Sequence, residues 1–424
     1  MPRKVLNLRE LLSLKPEEKD QPLRLVHKFS TRDPVEIIIA DYTDLAVRVS
    51  GEYFGDICFY GCNLNYADFK DLHIEGELVF DQNTSISLRL TFFRCNIKLG
   101  LTIFSFGDDH KSSVDLKCFD TKFGSNFKLI GVVFDGGQIA RCDFSGPFEL
   151  ISVKIRGVLK IHGCNFNEPS VVFNSAIEGV FSVTETVFCH NLLLRGSSFN
   201  EHVSIIEVRF LKGFDLYSSI FNNGLAFLEN DLSFSVNYSS ENKLFASNVD
   251  YDYSISTVQF QETFRVIKKL SLENGDPYEA SKYGQFEARA KQNATWVKFK
   301  GGDWAKWRIK LRTLQDYLIL GLNSISNRHK TSWLRAVVFT LVVVVVFFVL
   351  ILISGQFEGR WLTGDEYTML FIGLLNPLHK LDLYDGLSSF VFETNAFVYI
   401  LDFFARLFVG YGYYQFVQAF RRFK

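Results

Sequence analysis

Apolar residues return along the first half of the chain with a fixed period of eleven residues. From residue 144 onward, a bulky apolar anchor is followed four and six positions later by two further apolar residues, with Ser170 the single exception. Positions two before the anchors are small or β-branched. The anchors are Phe144, Ile155, Phe166, Ile177, Phe188, Phe199, Phe210 and Phe221. An array of this kind is the signature of a repeat protein.

The spacing within each repeat predicts short β-strands joined by tight turns. Residues two apart lie on the same face of a strand, so each repeat presents two inward-facing pairs. Turn-forming residues such as Gly146, Gly157 and Gly179 separate the pairs. One eleven-residue loop could not close around side chains of this size, so two repeats, about 22 residues, are expected per coil. We therefore predict a right-handed β-solenoid over residues 35–235, preceded by an N-terminal cap over residues 1–34.

The segment GCNLNYADFKD (61–71) contains two five-residue units centred on Leu64 and Phe69, each preceded by Asn or Asp. It resembles the pentapeptide-repeat family, whose units have a central Leu or Phe. The resemblance implies a four-sided β-helix.

A helical pattern replaces the strand pattern at about residue 258. Phe260, Phe264 and Ile267 recur at helical spacing, and Asn274–Gly275 predicts the C-terminal end of that helix. Pro277 is typical of the first turn of a second helix. We predict an amphipathic helical connector over residues 258–330, with Gly301 and Gly302 as a hinge.

Basic residues outnumber acidic ones in this connector, and tryptophans are interleaved with them. Such a segment favours an anionic membrane surface, because indole rings sit at the interface and cations meet lipid head groups. Nucleic-acid binding is the alternative use of a basic aromatic stretch, but the adjacent apolar segment favours the membrane, so no nucleic-acid partner is expected. The predicted interface residues are Trp296, Trp304, Trp307, Trp333, Lys306 and Arg308.

Residues 331–424 are predicted to form a membrane module. Residues 336–354 carry no charge and match the ~20 residues that cross a bilayer core. A second apolar stretch covers residues 396–420, and basic residues flank the outer ends of both, which predicts two spans, an external loop over residues 355–395 and both termini in the cytoplasm. With no secretory signal at the N-terminus and cysteines without zinc-site spacing, we expect an inner-membrane protein whose solenoid is cytosolic and carries reduced thiols.

The second predicted span is unusual because it contains charged residues. At helical spacing a polar stripe falls on one face, and charges inside a bilayer need a partner or water. Two interpretations remain open: the stripe lines a pore lumen, or Asp402 and Arg406 form an ion pair within one helix that holds an oligomer together. The candidate pore-lining residues are Asn395, Tyr399, Asp402, Arg406 and Tyr413.

Two short motifs accompany the stripe. Residues 409–412 read VGYG, as in a potassium filter, but too few residues follow them to form an inner helix, so a filter is not predicted. Residues 368–378 read TMLFIGLLNPL, too short to span; they are predicted either to re-enter the membrane as a pore helix or to lie flat on its outer surface.

The order of β-helix, helical connector and paired spans ending LDFFARLFVGYGYYQFVQAFRRFK resembles bacterial pentapeptide-repeat proteins with a C-terminal two-span module. That module is similar to two-span ion channels, which implies a homo-oligomer around a central pore.

No phosphate loop, nucleophile elbow or zinc-protease motif occurs, so we predict neither an enzyme nor a bound metal or cofactor. The leading hypothesis is an oligomeric membrane pore or ion channel with a sensing solenoid. The alternatives are a non-conducting membrane-anchored scaffold and a triggered membrane-permeabilising effector, for example in phage defence. The expected partners are the lipid bilayer, further copies of the chain, and a protein or small-molecule ligand on the solenoid.

Overall fold

The chain folds as two compact units, Met1–Asn274 and Gly275–Lys424. The structure is a computed structural model. It describes residues 6–7, 37–40, 45–53, 56–60, 63–81, 85–104, 114–232, 255–301, 307–327, 332–354, 363–378 and 396–420.

The first unit is a β-solenoid followed by one helix. Its strands are β1 (Leu6–Asn7), β2 (Ile37–Ala40), β3 (Leu45–Tyr53), β4 (Ile57–Tyr60), β5 (Asn63–Ile74), β6 (Glu77–Phe80), β7 (Ser85–Phe93), β8 (Asn96–Ile97), β9 (Gly100–Phe104), β10 (Val114–Phe119), β11 (Lys122–Phe123), β12 (Asn126–Ile130), β13 (Val133–Ala140), β14 (Asp143–Phe144) and β15 (Phe148–Ile151). They continue with β16 (Lys154–Ile155), β17 (Leu159–His162), β18 (Asn165–Phe166), β19 (Ser170–Phe173), β20 (Ala176–Ile177), β21 (Phe181–Thr184), β22 (Val187–Phe188), β23 (Leu192–Arg195), β24 (Ser198–Phe199), β25 (Val203–Ile206), β26 (Arg209–Phe210), β27 (Phe214–Asp215), β28 (Ile220–Phe221), β29 (Leu225–Leu228) and β30 (Asp231–Leu232).

Each coil pairs in parallel register with the next, about 22 residues further along the chain, and the solenoid makes about seven turns. Phe144 pairs with Phe166, and Phe166 pairs with Phe188. A regular coil contains four strands, as in β15, β16, β17 and β18. The eleven-residue repeat is therefore half a coil, as the sequence predicts. Of the predicted N-terminal cap, the structure describes only β1, which pairs with β2; the rest lies outside the described residues.

The solenoid core consists of stacked side chains from successive coils. Phe166 lies with its ring centroid 4.6 Å from that of Phe144 and 4.8 Å from that of Phe188, with the ring planes nearly parallel. Phe148 meets the edge of Phe166 at 5.2 Å. All four side chains are buried. The in-register pairing thus converts a sequence period into columns of aromatic rings.

The small residues before the anchors form a ladder of hydrogen bonds between coils. The amide of Val153 donates to Ser175 Oγ at 3.1 Å, and the amide of Ser175 donates to Ser197 Oγ at 3.2 Å. In turn, each serine hydroxyl donates to a carbonyl two residues earlier. At these corners the short polar side chains supply hydrogen bonds to backbone amides and carbonyls that strand pairing leaves without partners.

The residue before each small residue adopts a left-handed backbone conformation. Among the described residues other than glycine, these corner positions are Arg94, Asp120, Arg141, Ser152, Asn174, Glu185, Glu207, Ser218 and Glu229, with φ between 49° and 59°; Asp71, which precedes Leu72, has the same conformation. Glycine takes the same place at Gly163 and Gly196. Such backbone strains any residue with a Cβ, so the corners store conformational energy.

We expect Glu207→Gly to stabilise the solenoid by about 0.5 kcal/mol, because relief of left-handed strain exceeds the entropic cost of glycine. Glu207 has φ of 56° and is exposed. The control is Glu201→Gly, which removes the same charge, together with a weak hydrogen bond from Asn223 Nδ2, from an exposed turn position that is not left-handed. Urea midpoints should move in opposite directions; a loss of stability in both variants would contradict the strain argument.

Helix α1 (Thr257–Glu273) closes the C-terminal end of the solenoid. Its capping box joins Ser256 and Gln259, and its buried face includes Phe264, which meets Phe214 of the last coil at 6.4 Å. Asn274 Nδ2 donates to the carbonyl of Leu225 at 3.2 Å. The helix thereby covers strand ends that would otherwise be open. The sequence predicts this helix and its end, but assigns it to the connector.

The second unit is helical. Its helices are α2 (Pro277–Gly301), α3 (Trp307–Asn327), α4 (Trp333–Ser354), α5 (Gly364–Leu375) and α6 (Ala396–Phe420). Within the described part of the chain, α4 alone is long and apolar enough to cross a membrane. The prediction of two spans is therefore met by one candidate span. Helix α6 forms over the second predicted span, but its Asp402 and Arg406 and its row of tyrosines and glycines make it less apolar.

Candidate functional site

The polar stripe of α6 contains an ion pair between residues on neighbouring helical turns. Arg406 Nη2 lies 2.7 Å from Asp402 Oδ2, and the Asp402 side chain is buried. The Nε and Nη2 atoms of Arg406 are also buried and have no hydrogen-bond partner with proper geometry within the described residues. The pair thus compensates charge without saturating the guanidinium.

The rest of the stripe follows the border between the buried and exposed sides of α6. Tyr399 and Tyr413 are exposed, whereas Val409 is fully buried against α4 and α5. Asn395 lies outside the described residues. The structure therefore places the charged pair beside the interior of the helical unit, with two phenols on its outer edge.

Helix α5 runs back along α4 and α6 from its capped first turn. Thr363 and Glu366 form a capping box, and Phe371 packs on Phe348 of α4 at 5.6 Å. At the other end, Tyr413 Oη donates to the carbonyl of Leu375 at 3.2 Å. Because Tyr413 lies beyond the midpoint of α6, the C-terminal end of α5 reaches deep into the helical unit.

The VGYG motif forms part of a continuous helix. Residues 409–412 lie within α6, and Gly412 faces Thr340 of α4 so closely that an added Cβ would lie 2.1 Å from the threonine Oγ1. Small residues at this place permit close helix contact. In this structure the motif is a helix-packing site.

A polar network links α3 to the C-terminal half of α6. Asn323 Oδ1 accepts hydrogen bonds of 2.8 Å from both Tyr411 Oη and Gln415 Nε2. Gln415 is buried. A shared acceptor in a buried setting fixes both helices in one register. Sequence reasoning missed this network because its members are far apart along the chain.

The predicted membrane-interface residues fall into different environments. Trp296 stacks on Tyr317 at 4.9 Å and so joins α2 to α3. Trp307 is exposed with the Arg308 guanidinium 5.7 Å from its ring, and Trp333 is exposed beside Phe420. Trp304 and Lys306 lie outside the described residues. Of the predicted hinge, Gly301 ends α2 and Gly302 is outside the described range.

The solenoid holds no group of metal-ligating side chains among its described residues. No three of their His, Cys, Asp and Glu side chains are placed to hold a metal ion. Burial raises the pKa of the Cys95 thiol to about 11, and burial and then Lys212 lower the pKa of His190 to about 4. The thiol and the imidazole are therefore neutral near pH 7.

Two irregularities interrupt the solenoid core. Gly137 takes the register position filled by Leu116 and Leu159 in adjacent coils, beside a wholly apolar cavity. Ser170, the exception in the repeat, lies in register between Phe148 and Leu192. Its buried Oγ has no hydrogen-bond partner within the described part of the chain. Neither feature has the convergent polar groups of a ligand site.

Comparison with family models, with curated proteins and with solved structures finds no match to this chain.

Proposed function

We propose that the chain is a subunit of a homo-oligomeric membrane pore in the bacterial inner membrane, with a cytosolic solenoid that senses or binds a ligand. Helices α4 and α6 would span the bilayer, with both termini in the cytoplasm. The polar stripe of α6 would line part of the lumen. The coupling from solenoid to pore would run through α2 and α3.

Membrane insertion is supported by the exposed surface of α4. Only 22% of the 18 most apolar consecutive residues of α4 are buried, whereas the core helix of a soluble protein would be mostly buried. Val342, Val345 and Ile353 are among its exposed side chains, and Phe403 and Leu407 continue the apolar surface on α6. A surface of this size in water would drive association or insertion. At 22 residues α4 is ~33 Å long, close to the thickness of a bilayer core.

The observation that carries the pore proposal is the course of α5. In a bilayer that α4 and α6 cross, this 12-residue helix would descend ~18 Å and end beside Tyr413. A helix that stops inside the hydrocarbon region is tolerated where its end is buried in protein or faces water. Of the two predictions for residues 368–378, the re-entrant one is therefore the better supported.

The charged pair supports a second candidate, a non-conducting membrane anchor for the solenoid. Asp402 is buried and its charge is compensated by Arg406 on the same helix. Such a pair can hold a bundle together without lining a lumen.

The test is ion flux from liposomes that contain the purified full-length protein. Asp402→Asn and Arg406→Gln should change the cation-to-anion selectivity in opposite directions if both charges face the lumen. Tyr413→Phe removes the bond to α5 and should change conductance severalfold. Tyr414→Phe is its matched control, because the adjacent phenol lies off the stripe and its hydroxyl accepts a hydrogen bond from Gln418 of the same helix.

If all three stripe variants conduct with the same selectivity and conductance as the wild type, the assignment of the stripe to the lumen is contradicted. Monomeric protein that never conducts, including after addition of cell lysate as a source of trigger, would favour the anchor.

A further inference from the structure

Helix α3 carries a row of apolar side chains that no described part of its own unit covers. Trp307, Leu311, Leu318 and Ile325 are each more than half exposed. Their spacings of four, seven and seven residues put them on one side of the helix. The row extends over almost the full length of α3 (Trp307–Asn327).

Neighbouring helices contact α3 on other sides, while Ile309 and Asp316 are exposed on the side opposite the row. Tyr317 stacks on Trp296, and Gly321 faces Gln292, both on α2. Asn323 binds α6 through Tyr411. Because α3 is already held on these sides, its free row is a defined surface with a fixed orientation relative to α6.

Two positive charges beside the row are expected to destabilise α3 on its own. Arg308 and Arg312 are exposed in the first turns, where no acidic residue is found, although a helix N-terminus disfavours cations. They are also four residues apart, a repulsive spacing for like charges. No described residue forms an ion pair with either arginine, and this includes Asp316, which follows Arg312 by four residues. Two arginines in this setting indicate an external anionic partner.

A bilayer fits these features better than a second copy of α3. A parallel second helix on the same row would bring the arginines of two copies together at Trp307, and like charges would repel. An anionic leaflet instead accepts an indole at the interface and cations among the phosphates.

We propose that α3 lies in the plane of the cytoplasmic leaflet, with the row Trp307, Leu311, Leu318 and Ile325 inserted at head-group depth and Arg308 and Arg312 bound to anionic phospholipid head groups. The proposal rests on the proposed membrane insertion of α4. It makes the leaflet composition a regulator of the pore, because the Asn323 network connects α3 to α6.

The test uses full-length protein in nanodiscs of phosphatidylcholine with and without phosphatidylglycerol. Nitroxide labels are attached at Leu311→Cys and Leu318→Cys, with Asp316→Cys as the matched control on the exposed opposite side. Wild-type protein treated identically supplies the background from native cysteines. We expect the two row labels to be relaxed more by oxygen than by a nickel chelate, and the control label to show the reverse.

Phosphatidylglycerol should draw the row labels deeper, and Arg308→Gln with Arg312→Gln should remove this effect. Each arginine is expected to contribute about a fivefold preference for the anionic lipid. The same depth in both lipids, with no effect of the arginine variant, overturns the assignment of the arginines.

A label at Val345→Cys on the exposed side of α4 separates this inference from the proposed function. If that label lies outside the hydrocarbon core, membrane insertion itself is wrong. If it lies in the core while the row labels are in water, only the inference about α3 is overturned. Row labels shielded from both reagents and broadened by each other would show that a second copy covers the row, which also overturns it.

Discussion

Replacing Phe166 by alanine is expected to destabilise the solenoid by about 3–5 kcal/mol. The side chain is buried between the rings of Phe144 and Phe188, and its edge is closed by Phe148. Removing the ring loses both stacking faces and leaves a cavity, because the parallel coils fix the positions of its neighbours. The loss should be felt in adjacent coils, since each repeat is stabilised mainly by its nearest neighbours.

Urea unfolding followed by far-ultraviolet circular dichroism measures the loss of stability, and amide hydrogen exchange locates it. The matched control is Val158→Ala in the neighbouring turn, because Val158 is exposed and should change stability by no more than about 0.5 kcal/mol. A Phe166→Ala variant as stable as the control would contradict the stacked core.

The coil length could be predicted from sequence because both halves of a coil obey the same pattern. Phe144 and Ile155 occupy equivalent positions in successive half-coils, and each pairs with the residue 22 positions later. Two eleven-residue repeats therefore make one coil. The corners could not be predicted in the same way. Arg141 and Glu185 adopt the left-handed backbone usually given to glycine, and these residue types carry no signal for it.

The candidate site also has one part that the sequence predicts and one part that it does not. Asp402 and Arg406 are four residues apart, so helical spacing alone brings them together. Asn323 meets Tyr411 and Gln415 only through the packing of helices, and no periodicity connects such distant positions. The same limit applies to α1, whose apolar face is visible in the sequence while its place on the last coil is not.

The place of α1 depends on a buried carboxylate at the end of the solenoid. Asp215 Oδ2 accepts a hydrogen bond of 2.6 Å from Arg195 Nε, and Asp215 Oδ1 accepts one of 3.2 Å from Thr263 Oγ1 on α1. The threonine oxygen in turn accepts from the amide of Leu216 at 2.9 Å. One side chain therefore joins two coils and the helix that covers them.

We expect Asp215→Ala to destabilise the C-terminal end of the solenoid by about 3–5 kcal/mol, because it removes the carboxylate from a buried ion pair and leaves donors unsatisfied. Hydrogen exchange should become fast in α1 and in the last coil before it does in the middle of the solenoid. The matched control is Asp231→Ala, which breaks the exposed pair between Asp231 and Arg209 and should cost no more than about 1 kcal/mol. Equal losses in the two variants would mean that burial adds nothing to the pair; early exchange in the middle coils would mean that α1 does not protect the end.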